Sequence, residues 1–87
     1  MLPGAEIIDK GVADLNCECE TVESLLVSIG SPRLRAAGIV IPTRTIPSPE
    51  HRLYEMLRAE NPYTAHSRYN ALIRRLVSFE RAAECVK

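Results

Sequence analysis

The feature that most constrains this chain is the apolar rhythm of its last stretch, residues 61–87. Tyr69, Leu72, Leu76, Phe79, Ala83 and Val86 recur at intervals of 3, 4, 3, 4 and 3. That rhythm puts all six on one stripe of a single long helix, and Ile73 and Val77 widen the stripe. A helix of about 24 residues is ~36 Å long. The other helices the sequence predicts run to about 13 residues at most, so on this reading they cover only part of it. The end carrying Phe79, Ala83 and Val86 is therefore expected to project and to meet a second copy of the chain or a helix of another protein.

The rest of the chain supplies shorter elements. Ile8, Val12 and Leu15 fall at spacings of 4 and 3, with Ile7 beside them, so residues 4–16 read as an amphipathic helix. Gly11 inside it costs about 1 kcal/mol relative to Ala. Residues 16–20 are polar and turn-like. Thr21 is a suitable N-cap, with Glu23 in the first turn, where a negative charge suits the helix dipole. Val22, Leu25, Leu26 and Ile29 line the helix that follows, and Gly30 reads as its left-handed C-terminal stop.

Three dipeptides then repeat one device. Ser31-Pro32, Ser48-Pro49 and Asn61-Pro62 each place a capping side chain before a proline, whose missing N–H is harmless at the first helical position. They predict a short helix over residues 32–37 that stops at Gly38, a second over 49–60 carrying Leu53, Met56 and Leu57 with Tyr54 on its flank, and the long final helix. Residues 38–47 between the first two are expected to be an irregular connector that tucks in Ile41 and Ile46. Ile39, Val40 and Ile41 favour a strand, but Pro42 and Pro47 each remove a backbone donor. The alternative is an edge strand that pairs with a second copy.

The fold class expected is therefore all-α: a single domain spanning residues 1–87, a small bundle of four to five helices with a dominant C-terminal one. An apolar content of 46% is too high for a disordered chain. Tyr54, Tyr63, Tyr69 and Phe79 are the only aromatics, so the core must be aliphatic. A chain this short buries roughly 60–65% of its unfolded surface, so its stability margin is narrow and self-association would help it. No apolar run reaches the ~20 residues of a membrane span. Residues 1–15 lack the basic start and unbroken apolar run of a signal peptide. A cytoplasmic protein is expected, with Cys17, Cys19 and Cys85 as free thiols.

Net charge is zero, but it is unevenly spread. Residues 1–30 hold six acids and one base, whereas residues 31–87 hold ten bases and five acids. The simplest expectation is that the acidic front and basic back neutralise each other inside the fold; the other is that one of them attracts a partner.

Little in the sequence points to chemistry. Cys17-x-Cys19 has the spacing of half a zinc site, but a closed site needs four ligands, and His51, His66 and Cys85 are scattered. The same residues supply the types for Cys-His catalysis without any legible activating arrangement. There is no phosphate-binding glycine loop, no HExxH and no GxSxG. The sequence thus predicts a non-enzymatic protein with no metal and no cofactor. The favoured function is a regulatory or inhibitory protein that binds another protein, or itself, through Leu72, Arg75, Leu76, Phe79, Arg81, Ala83 and Val86. The alternative is a DNA- or RNA-binding regulator. Residues 51–76 have the outline of two helices joined by a short turn, and Arg52, Arg58, Arg68 and Arg74 would meet phosphates, with Asn70 early on the second helix.

Overall fold

The computed structural model describes residues 2–85. Four helices follow one another: α1 (Ala5–Asn16), α2 (Val22–Ala36), α3 (Pro49–Glu60) and α4 (Ala65–Cys85). The described residues contain no strand, and residues 38–47 run as the irregular connector between α2 and α3.

The centre of the bundle is α2, which packs against each of the other three helices. Its start follows the capping rule. Thr21 Oγ1 accepts from the Ser24 N–H at 3.1 Å, and Ser24 Oγ accepts from the Thr21 N–H at 2.7 Å. This is a reciprocal capping box with Ser in the third position. Leu25, Leu26, Val27 and Leu34 are completely buried. Ser24, Ser28, Gly30 and Ser31 are buried as well, so the helix is enclosed on nearly every side over residues 24–31 and its apolar periodicity is blurred.

Here the structure departs from the sequence reading. The second helix does not stop at Gly30, and no new helix starts at Pro32; α2 is continuous through both. The reason lies in packing. A Cβ at Gly30 would lie 2.8 Å from Glu80 Oε2 and 2.9 Å from Leu76 Cδ1, so glycine serves close approach to α4 rather than a turn. Gly11 does the same on α1, where a Cβ would lie 2.4 Å from the Glu23 carbonyl oxygen. Pro32 is exposed, in the helix interior. Proline there removes a backbone bond and costs about 3 kcal/mol.

Two helices end in the same motif, with different residues. At the end of α2, Gly38 N–H bonds Arg35 O at 3.0 Å and Ile39 N–H bonds Leu34 O at 2.9 Å, with Gly38 at φ 91°. At the end of α1, Glu18 N–H bonds Leu15 O at 3.0 Å and Cys19 N–H bonds Asp14 O at 2.8 Å. These are paired Schellman bonds. In the second case Glu18 holds the left-handed position at φ 59°, where a side chain costs roughly 1 kcal/mol.

The later prolines behave partly as expected. Pro49 opens α3, but Ser48 is itself left-handed at φ 48° and its side chain makes no cap bond. Pro62 lies in a turn before α4, which begins at Ala65. Asn61 closes α3 and accepts the Tyr63 N–H at 3.0 Å. Leu53 and Leu57 of α3, Ile8 and Leu15 of α1, and Ile41 of the connector join α2 and α4 in one aliphatic core. Ile46 packs on its edge, held by a bond from its N–H to Ser28 Oγ at 3.2 Å. The radius of gyration, 12.4 Å, is near the ~12 Å expected of a compact chain of this length.

Candidate interaction surface

The apolar stripe of α4 lies inside the molecule. Leu76, Phe79 and Ala83 are each at most 4% exposed, and Leu72 is half-buried against the core. The expected projection of the Phe79–Ala83 end is thereby corrected, because α4 is flanked by α2, α3 and the start of α1. Gly30 of α2 lies against Leu76 and Glu80, and Arg33, beyond the expected helix stop, meets Glu80 and Glu84. The start of α1 closes the other side: a Cβ on Gly4 would lie 3.6 Å from Phe79 Cβ. Val86 lies outside the described residues. Arg75 and Arg81 are exposed on the edges of the helix.

Glu80 is the one buried carboxylate on this seam among the described residues, 3% exposed. Its Oε1 lies 3.3 Å from Nη1 of Arg33, which also bonds Glu84 through Nη2 at 2.8 Å. Burial pushes the Glu80 carboxyl above its ordinary range; Arg33 opposes that shift and Glu84 adds to it.

The acidic front and basic back meet in three ion pairs, while other charges pair within their own half. Glu6 meets Arg75 at 2.9 Å, Glu18 meets Arg44 at 3.3 Å, and Glu20 meets Arg52 at 2.6 Å. Of the four arginines assigned to phosphate, Arg52 is held by Glu20 and Arg68 by Glu60 at 2.8 Å. Arg74 donates to the Asn70 carbonyl at 3.3 Å. Arg58, Arg74 and Arg81 have no carboxylate within ion-pair distance among the described residues. Asn70 contacts His66 Nε2 at 3.2 Å, four residues earlier on the same helix.

A concave surface lies open elsewhere. A cavity of about 650 Å³ lies between the α1–α2 turn and the connector. Leu15, Ile46, Pro42 and Pro47 supply apolar lining, while Cys17 and Cys19 contribute thiols. Glu18–Arg44 and Glu20–Arg52 each join the turn to the opposite side. These pairs sit in water and contribute little to stability, so their charges are free to exchange to an incoming group. Sequence reasoning passed over this cleft because its two walls are more than twenty residues apart. The only trace is the pairing of acids in residues 18–20 with bases at 44 and 52.

No group of three or more His, Cys, Asp or Glu side chains among the described residues is placed to hold a metal ion. His51 and His66 are exposed, on α3 and α4 respectively. No helix among the described residues is long and apolar enough to cross a membrane. No protein-family model matches this chain, and no curated protein or solved structure is significantly similar to it.

Proposed function

We propose that this chain is a small cytoplasmic, non-enzymatic regulatory or inhibitory protein that binds another protein. The contact surface is the cleft where the end of α1, the connector and the start of α3 meet. The observation that carries this reading is the contrast between the two apolar surfaces. The stripe on α4 is occupied by the chain's own α2, α3 and the start of α1, whereas the cleft is open, partly apolar and rimmed by exchangeable charges. Its volume falls within the ~300–1,000 Å³ of sites that seat a compact ligand or a few anchoring side chains. Its rim offers both signs of charge, which orients a partner more than it holds it.

The alternative is nucleic-acid binding. Only Arg58 and Arg74 of its four arginines stand clear of carboxylates, and the whole chain has no positive excess. A salt titration of whatever co-purifies with the chain separates the two. A complex that survives a rise from about 50 to 200 mM salt with little loss supports the protein partner. A fall of 10³-fold or more, as counterion release produces, supports nucleic acid.

A further inference from the structure

Cys17 and Cys19 are both exposed, and both line the cleft. The residue between them is Glu18, at φ 59°. A left-handed residue mirrors a helical one and brings its two neighbours' Cα atoms to about 5.4 Å, whereas an extended residue sets them roughly 6.6 Å apart. Disulfides favour a Cα separation of about 5.5–6 Å. The two Schellman bonds at Glu18 and Cys19 pin this conformation. The Cys19 thiol already folds back, its Sγ donating to the Cys17 carbonyl at 3.7 Å. A pair of accessible thiols is thus held across a turn whose Cα spacing suits a bridge.

We propose that Cys17 and Cys19 form a redox-modification site, a dithiol that a hydroperoxide oxidises to an intramolecular disulfide. One thiolate attacks the peroxide, the O–O bond breaks, and the displaced oxygen leaves as water or alcohol. The attacked cysteine is then a sulfenic acid. The second thiol attacks its sulfur, the S–O bond breaks, water leaves and the S–S bond forms. Two thiols are oxidised and one peroxide is reduced; a dithiol reductant reverses the change by exchange. The site is independent of the identity of any protein partner. Cys85, the last residue of α4, does not line the cleft.

The test treats the full chain with hydrogen peroxide and reads intact mass, free thiols and the modified peptide. The expected product is a monomer lighter by two hydrogens, with one of its three thiols left. The link lies within the peptide that holds residues 17 and 19. Dithiothreitol restores the original mass. The link forms at least about tenfold faster in the native chain than in urea, because the turn supplies the proximity. Cys17→Ser and Cys19→Ser each abolish the bridge and leave a sulfenic acid that dimedone traps; Cys85→Ser leaves bridging unchanged. A main product that is a disulfide dimer, or that carries oxygen atoms on each cysteine separately, overturns the proposal. So does an equal rate in the native and unfolded chains.

Discussion

Gly30 of α2 lies directly against the Glu80 carboxylate of α4, so close that a methyl group at position 30 would sit 2.8 Å from Oε2. The same contact explains why a glycine that reads as a helix stop is a helix interior. It also sets an order among the glycines. At Gly30 the added methyl meets only the ends of Glu80 and Leu76, which move. At Gly11 it meets the Glu23 carbonyl at 2.4 Å, which is backbone. Alanine gains about 1 kcal/mol of helix propensity at either site. Gly11→Ala is predicted to lose about 2–3 kcal/mol net, and Gly30→Ala about 1 kcal/mol or less. Urea unfolding followed by circular dichroism gives both values.

Glu80 gives the chain a pH dependence of definite sign. Its carboxyl is raised above the ordinary 4.5 by burial, against the opposing pull of Arg33 and with the support of Glu84. The folded chain therefore keeps this proton to higher pH than the unfolded chain. The stability it contributes is full below about 4.5 and is lost as pH rises through the folded value. Glu80→Gln removes that loss. Its stability relative to the parent is predicted to climb as pH rises from about 4 to 7. Thermal unfolding of both proteins at a series of pH values checks this; a difference independent of pH contradicts it.

The two helix ends make a matched pair. Glu18 occupies the left-handed position that Gly38 occupies on α2. Glu18→Gly should stabilise the chain by about 0.5–1 kcal/mol, since the strain it relieves exceeds the worth of an exposed pair with Arg44. Gly38→Ala should cost about 1 kcal/mol. Denaturant midpoints of the two variants are predicted to move in opposite directions.

Pro32 is the plainest local conflict in the fold. It is exposed inside a continuous helix, where it removes the N–H that would bond the Ser28 carbonyl. Pro32→Ala is predicted to raise stability by about 1–3 kcal/mol. A loss would mean that the break is required for the helix's path, and the same unfolding measurement decides it.

Much of the fold can be read from the chain, and its main departure has one cause. The α4 stripe, the limits of α3, the Thr21 cap and the irregular connector all follow from local chemistry and period. The continuity of α2 does not, because Gly30 and Pro32 carry strong local signals that tertiary packing overrides. Leu26, Gly30 and Leu34, four apart, hold the trace of one helix; a buried small residue in the middle hides it. A helix stopped at position 30 also lacks the Arg33 that meets Glu80 and Glu84, and Gly4 reaches Phe79 only through the fold. The cleft was illegible for another reason: Leu15, Arg44 and Ile46 are brought together only by the fold.

The central claim is that a protein partner engages the cleft and not α4. The measurement that tests it most directly is the affinity of the captured partner for two exposed-residue variants of the full chain. Thr43→Trp fills the cleft, and Arg81→Glu alters the outer edge of α4. The prediction is a fall of about tenfold or more for Thr43→Trp, a loss of roughly 1.4 kcal/mol, with Arg81→Glu close to the parent. Unchanged affinity in Thr43→Trp together with a loss in Arg81→Glu would contradict the account and return the interface to the last helix.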